Sequence, residues 1–480
     1  MKIGLIAIAG VKLQTRRFIE IGVTLPQFIN RGQVIAQLPS LALLTLAGAT
    51  PETIDVEYVE VDDVQAHAAA VRLDFDLVGL STYTARAPDA YVVADAYRAA
   101  GIPVVFGGLH ASVLPEEAAQ HADAVVVGEG ETSWPQVVRD FQQHGRRGLQ
   151  PYYREAAPGH FDLAASPLPR FELLQNVGAP GPAPDPVRSG SLHRLNVYNR
   201  ITIQTSRGCP WDCDFCAASK LYGPRYRLKP VERVLHEVDI VSGLWLRPFI
   251  EFADDNTFVN KSWSKRLLRG LAERDIRYFT ETDVSVVDDP ELLELLYSSG
   301  CRQVLIGFET PRQAGLVGMD RVNWKAAQHR RYTDVIDQLQ GRGVSVCGCF
   351  IVGLDTDTPG IFDEIREFVE RTKLLEVQVT ILTPFPGTRL YQRLAQEGRL
   401  LYPGSWERCT LFDVNFRPRG MTVEQLEDGV IELWRNLWNA DAFAERKRHY
   451  RRLLRKRRGR QGSADEVAAD DEAYALPTAQ

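Results

Sequence analysis

Cysteine is scarce in this chain, with seven in 480 residues. An odd, small number with three crowded together argues against the disulfide framework of a secreted protein and for a reducing compartment, the cytoplasm. Long hydrophobic runs are also missing, so no transmembrane segment is expected. The opening "MKIGLIAIAGVKLQTRRF" has no basic n-region or small-residue cleavage site, and its apolar part is brief. It reads as a first β-strand and not as a signal peptide. Strong net charge is absent too: the formal value is -6, which gives no reason to expect a nucleic-acid partner. What is plentiful is apolar material. A hydrophobic fraction of 45%, in a chain longer than one core usually serves, predicts two or three globular domains.

From Lys2 to residue 145 short apolar strands ("KIGLIAIA", "IDVEYVEV", "DLVGLST", "IPVVFGG", "ADAVVVGEG") alternate with helical stretches such as "SLALLTLAGAT" and "DAYVVADAYRAAG". Continuous apolar strands joined by helices indicate a parallel sheet covered on both faces, a Rossmann-like α/β domain. Ligands bind such sheets beyond the carboxyl ends of the strands, which here carry "STYTAR", "GGLHAS" and "GEGE". No GxGxxG fingerprint occurs there, so an ordinary NAD domain is disfavoured. The first connection, Gly22 to Pro51, is long enough to cover a ligand or to pack between domains. Residues 146–196 lose periodicity and fill with proline and glycine, as an interdomain linker does. From 197 to 415 six βα units follow, which suits an open, partial (β/α)6 barrel with its chemistry at the C-terminal strand ends. A helical region is expected over 416–458 and a disordered acidic tail over 459–480. The basic run Arg446 to Arg460 reads as a solvated helix.

The three crowded cysteines, Cys209, Cys213 and Cys216 in "RGCPWDCDFC", follow the first barrel strand. Three thiolates are one fewer than a closed zinc or iron-sulfur site uses. No histidine stands at a common zinc spacing, the nearest being His193 and His236. Three thiolates can instead hold three irons of a [4Fe-4S] cluster and leave the fourth iron for a small molecule; a zinc knuckle is the competing reading.

C-x3-C-x2-C with an aromatic, Phe215, before the third cysteine resembles the signature of the radical S-adenosylmethionine (radical SAM) enzymes. That resemblance implies a cluster whose open iron is chelated by SAM, and reductive cleavage of SAM to a 5′-deoxyadenosyl radical. It extends to "FIEFADDNTFVNKSWSKRLL", similar to the family's second strand, where Asp254 and Asp255 match carboxylates near the SAM amino group. "TETDVSVVDDPELLELLYSSGCRQVLIGFETP" resembles the fourth and fifth strands, with Glu281 and Glu309 at positions that contact SAM. "LTPFPGTRLYQRLAQEGRL" resembles the sixth strand and its turn.

The N-terminal domain has its own likeness: "GIPVVFGGLHASVLPEEAAQHADAVVVGEGE" is similar to the cobalamin-binding domain that precedes the barrel in a large radical SAM subgroup. The resemblance implies cobalamin contacts at the strand ends, from Ser81 and Thr82, from Gly107, Gly108 and His110, and from Gly128, Glu129 and Gly130. Small residues there let a flat macrocycle approach the backbone. The D-x-H-x-x-G loop that supplies a cobalt ligand elsewhere is absent, as is usual in the subgroup.

Cobalamin, SAM and a [4Fe-4S] cluster together imply methyl transfer to an unactivated carbon of a small-molecule or lipid substrate: one SAM methylates cobalamin, and a second yields the radical. Flavodoxin or ferredoxin would supply electrons. The rival with the same cofactors is oxidation, cyclisation or rearrangement without methyl transfer. Less favoured are a cobalamin-binding regulator with a vestigial barrel and an RNA-modifying enzyme. Cys347 and Cys349, on one face of one apolar strand, read as core packing. Tyr83 and Arg86 either touch cobalamin or close their loop.

Overall fold

The computed structural model describes residues 1–25, 28, 34–155, 159–177, 198 and 200–461. In the N-terminal domain β1 (Lys2–Ile8), α1 (Leu41–Ala49) and β2 (Asp55–Val61) are followed by β3 (Leu77–Ser81), α2 (Ala87–Ala99) and β4 (Val104–Gly107). Next come β5 (Ala124–Val127), α3 (Gly130–His144) and β6 (Tyr152–Arg154). The strands form one parallel sheet in the order β2-β1-β3-β4-β5-β6. β1 is buried from Ile3 onward because helices cover both faces. α1, nearly apolar throughout, is capped by Ser40 accepting from the Leu43 amide. Gly48 on α1 leaves room for the connection: a Cβ there would meet the Leu168 carbonyl at 1.9 Å.

β6 lies inside the segment read from sequence as linker. Three residues carry no periodicity of their own; pairing with β5 makes them a strand, so the first domain's sheet runs to Arg154. Residues 159–177 are mostly irregular, yet Phe171 and Leu174 reach the core. The densest Pro/Gly stretch, from residue 178 on, lies outside the described residues, as do parts of the Gly22–Pro51 connection.

The second sheet contains β7 (Ile201–Ile203), β8 (Phe249–Phe252), β9 (Arg277–Thr282), β10 (Cys301–Glu309), β11 (Ser345–Val352) and β12 (Glu376–Ile381), parallel and in sequential order. Among the described residues β12 does not pair with β7, so the barrel is open. The intervening helices are α4 (Val231–Leu244), α5 (Lys261–Ala272), α6 (Pro290–Ser298), α7 (Tyr332–Gly341) and α8 (Ile361–Thr372). Their starts are legible: Asn260 caps α5, and Asp289 caps α6 ahead of a proline at the first helical position. α9 (Arg389–Gln396) follows β12. Along the strands, half-exposed Glu251, Glu281, Cys349 and Gln378 alternate with buried neighbours and form a polar layer lining the barrel interior.

α10 (Val423–Trp438), with a Thr422/Gln425 capping box, and α11 (Ala440–Gln461) complete the described chain. α11 crosses the N-terminal ends of the barrel strands. The Tyr450 hydroxyl donates to the Gly343 carbonyl at 2.6 Å, and Arg457 stacks 3.7 Å from the Tyr297 ring. Arg446 is buried against Trp438 and Phe443. Part of the basic run is therefore packing, where the sequence suggests only a solvated face. Residues from 462 on lie outside the described set. No described helix is long and apolar enough to cross a membrane.

The two domains share one contiguous core that runs from Ile3 to Leu437. Polar bonds also join them. Asp413 accepts from the amides of Gln14 and Thr15, and the Trp406 indole donates to Glu117 at 2.9 Å. This docking sets the carboxyl ends of the first sheet against the rim of the barrel.

Candidate cofactor site at the facing strand ends

After β7 the chain makes a short antiparallel ribbon, Ser206–Arg207 against Arg227–Leu228, and then the three-cysteine loop. Gly208 is obligatory at its start: φ is +83°, and a Cβ would lie 2.4 Å from the Arg225 carbonyl. Asp254, at the end of β8, anchors this turn. Its buried carboxylate accepts from the amides of Thr205 (2.7 Å) and Ser206 (2.9 Å) and from the hydroxyls of Thr205 and Thr257. Burial raises its pKa and those four bonds pull it back. Asp254, expected from sequence beside SAM, uses its carboxylate to hold the cysteine loop. The neighbouring Asp255 accepts from the Gly208 amide close to Cys209 and Cys216 and, through burial and then the charge of Asp254, is pushed up to about 6.

All seven cysteines are free, and the three loop thiols are half-buried. Burial pushes Cys209 up to about 12 and also raises Cys213 and Cys216; a bound metal inverts that tendency and takes the thiolates. Among the described residues no three Cys, His, Asp or Glu side chains are arranged for a metal ion. Phe215 packs partly buried against the main core.

Across the lumen stand Glu281 on β9 and Glu309 at the end of β10. These are the third and fourth barrel strands, not the fourth and fifth suggested by sequence, because the sheet counts from β7 in strict chain order. Burial, then Glu251 and Asp255, push Glu281 up to about 8, so it is mostly a neutral carboxylic acid at neutral pH. Glu309 follows a register shift in β10 and adopts φ +64°. A non-glycine residue held there is strained backbone. Its carboxylate receives Lys325 Nζ at 2.7 Å, both side chains being nearly buried. Burial opposes the Lys325 charge, but Glu309 and then Cys213 outweigh it and raise its pKa. Lys325 is thus a buried cation beside the thiol loop that the sequence reading missed. Its signal is slight, a single lysine in "VNWKAAQ" whose partner lies sixteen residues earlier.

On the facing sheet, Ser81 and Thr82 end β3; Thr82 is buried, and its hydroxyl has no hydrogen-bond partner among the described residues. Tyr83 follows, 53% exposed. Arg86 turns inward to Asp89 at 2.7 Å and closes the loop. Gly108 needs its φ of +94°, and a Cβ there would stand only 2.7 Å from Ser81 Oγ; at Gly107 the nearest atom is an unstrained 3.6 Å away. Gly128 (φ +95°) donates its amide to Ser112, and Gly130 opens α3.

Two residues expected to contact cobalamin on this rim make bonds within the protein. His110 is fully buried, bonded to the Tyr91 hydroxyl (3.0 Å) and Glu117 (3.3 Å), with its pKa lowered mainly by burial. The short helix Leu109–Val113 turns it into the interior. Glu129 is equally committed. It accepts from Arg207 (2.6 Å) and Arg227 (2.7 Å), while Glu131 takes the other arm of Arg207, with all four side chains nearly buried. Sequence reading missed both arginines because their partners lie in the other domain. Cys347 is buried as expected, but Cys349 faces the lumen, with Gln378 Nε2 3.7 Å away.

An open barrel with a three-thiol loop, facing a parallel α/β sheet across a cleft edged by glycines and an unpartnered hydroxyl, defines a two-cofactor protein. The donor set fits a cluster at the loop, and the flat glycine rim fits a macrocycle. Residues 203–369 match the model of the radical SAM superfamily, residues 30–138 that of the B12 binding domain, and residues 388–474 that of a domain of unknown function (DUF4070). The chain is 28% identical over 77% of its length to bacteriochlorophyllide d C-8(2)-methyltransferase of Chlorobaculum tepidum, covering 78% of that protein. To hopanoid C-2 methylase of Rhodopseudomonas palustris it is 25% identical, covering 78% of this chain and 67% of that one. The anaerobic magnesium-protoporphyrin IX monomethyl ester cyclase of Rubrivivax gelatinosus is 25% identical over 72% of this chain and 62% of that one. Among solved structures, the radical SAM methyltransferase TsrM from Kitasatospora setae, with cobalamin and a [4Fe-4S] cluster bound, superposes with TM-score 0.63 and 17% identity, covering 92% of this chain and 89% of that one. The chain thus carries a B12-binding domain followed by a radical SAM domain.

Proposed function

We propose that the protein is a cobalamin-dependent radical SAM C-methyltransferase acting on a small-molecule or lipid substrate. The observation that carries this reading is the loop of three free thiols, Cys209, Cys213 and Cys216, on the barrel rim, joined through Arg207 to Glu129 and Glu131 at the strand ends of the B12-binding domain. When bound, the cluster and SAM supply one-electron cleavage of the sulfonium, and cobalamin supplies a methyl carrier. The chain's own residues do the rest. Cys209, Cys213 and Cys216 hold the cluster, and Asp254 and Gly208 fix the loop that presents them. Asp255, Phe215, Glu309 and Lys325 surround the SAM position, the cation balancing carboxylates beside the thiols. Glu281, mostly uncharged near pH 7, offers an O–H donor in the lumen. Ser81, Thr82 and the glycines at 107, 108, 128 and 130 edge the cobalamin side. Holding both cofactors against one cleft is the orientational contribution of the fold. The free thiols suit a cytoplasmic setting.

A second reading, cyclisation or oxidation with the same cofactors, is favoured by the likeness to the Rubrivivax gelatinosus cyclase. The deciding experiment reconstitutes the protein anaerobically with iron, sulfide and hydroxocobalamin, adds SAM and titanium(III) citrate, and quantifies two products. S-adenosylhomocysteine together with 5′-deoxyadenosine supports the methyltransferase. Deoxyadenosine alone moves the reading to the non-methylating chemistry, and neither product sinks both.

A further inference from the structure

The three-thiol loop is covered on two sides by its own protein. Inward lie Asp255 and the Glu309–Lys325 pair; toward the B12-binding domain, Arg207 is locked to Glu129 and Glu131. On its outer side, among the described residues, the segment from Gln313 to Trp324 and helix α9 intervene. That segment touches the loop directly. The Asp214 amide donates to the Met319 carbonyl at 3.0 Å, Arg321 reaches Asp212 at 2.6 Å, and Trp324 stacks on Trp211 with centroids 3.9 Å apart. Yet its outward side chains stay uncovered: Val317 is 64% exposed and Val322 70%, with Arg321 69% exposed between them. Two exposed valines flanking an exposed arginine give this side of the loop a small apolar centre with a charged edge.

The charge of this face is one-sided. The single acid of the segment Gln313–Trp324, Asp320, is buried and spends its carboxylate on the amides of Val322, Trp324 and Lys325. Asp212 is shared by Arg321 and Arg389, and alongside, Asp355 and Glu397 answer Arg393, Arg399 and Arg419. Five arginines thus stand among four carboxylates, Asp214 beside Arg389 and Arg393 being the fourth.

We infer that the surface formed by Val317, Arg321 and Val322 with the arginines of α9 is the docking site of a small acidic electron-carrier protein. The inference rests on the radical SAM reading above, since a cluster held by this loop must receive its electron from outside. The carrier gives up one electron here and leaves oxidised; docking itself makes and breaks no bond. Apolar contact between two valines supplies the centre of the interface, and the arginines steer an acidic partner toward it.

The test compares the full-length, reconstituted protein with its Val317→Asp/Val322→Asp double variant, using oxidised flavodoxin as the probe for binding by calorimetry. SAM cleavage is then driven either by flavodoxin with its reductase and NADPH or by titanium(III) citrate. Flavodoxin affinity is expected to weaken at least about tenfold. Carrier-driven deoxyadenosine formation should fall in parallel while the titanium-driven rate stays within about twofold, and wild-type binding should weaken as salt rises. Unchanged affinity and unchanged carrier-driven rate overturn the docking site. Equal loss with both reductants also overturns it, because the segment would then be supporting the loop. If the wild-type protein cleaves no SAM with titanium(III) citrate, the enzyme reading is what fails, and the binding measurement still decides the surface.

Discussion

The two rims that face each other across the cleft are built from opposite materials. On the barrel side the strand ends carry thiols, carboxylates and a buried lysine, whose charges act on one another. On the other side they carry glycines, hydroxyls and an exposed tyrosine ring. A small polar ligand and a metal cluster are gripped by charge and coordination, so the first rim must put specific atoms in specific places. A wide flat cofactor is accommodated by the absence of side chains, so the second rim must keep atoms away. The strong electrostatic feature of the B12-side rim, Glu129, serves the interface between the domains.

That contrast can be broken most sharply at the thiols. Cys213→Ala should reduce SAM cleavage by about a thousandfold or more, with iron content falling below that of the reconstituted wild type, because a cluster losing one of three protein ligands is not retained. Cys347→Ala, buried in the same barrel, should cost only about 1 kcal/mol of packing in a urea titration and leave cleavage near its original rate. Next comes the join between the rims. Glu129→Gln removes a carboxylate that serves two buried arginines, and breaking such a network costs about 3–5 kcal/mol; a lowered urea midpoint with unchanged slope would register it, whereas a value near zero would mean that water can replace Glu129.

Within the glycine rim the comparison is finer. Gly108→Ala forces a side chain into a left-handed backbone position against Ser81 and should cost about 1–3 kcal/mol. Gly107→Ala meets Val126 only at an ordinary van der Waals distance, 3.6 Å, and should leave stability nearly unchanged, so a loss of hydroxocobalamin affinity in that variant alone would place the macrocycle against this residue. The smallest effect is the pH response of Glu281. Its folded-state pKa, about 8, lies above the ordinary 4.5 of an unfolded chain. Between those values the folded state holds a proton that the unfolded state has released, so this residue lowers stability progressively as pH rises from about 4.5 to 8. Glu281→Gln should therefore match the wild-type melting temperature of the cofactor-free protein at pH 5 and exceed it by a few degrees at pH 8.5.

What the sequence discloses is local in kind. The apolar strands, their alternation with helices and the three-cysteine spacing all lie within short windows, and each appears in the fold where its pattern implies. What it withholds depends on distance along the chain. β6 is a strand only because β5 lies beside it, and Lys325 matters only because β10 brings Glu309 to it. The adjacent acids Asp254 and Asp255 are indistinguishable in sequence. Which one clamps the loop and which one accepts from the Gly208 amide is decided by the turn after β8 and by donors from Thr205 and Ser206, nearly fifty residues away. His110 shows the same limit from the other side, a histidine beside a glycine pair whose direction depends on Tyr91 and Glu117.

The contact of Asp413 with the amides of Gln14 and Thr15 bears on how the molecule is made. The loop that follows the first strand is completed by an acceptor 399 residues further on. At synthesis rates of roughly 5–20 residues per second, that acceptor emerges roughly 20 to 80 seconds after the loop. For that interval the nascent first domain has its sheet but not its final rim, and the edge of the cleft stays open on the ribosome. Closure of the cleft is thereby tied to completion of the barrel.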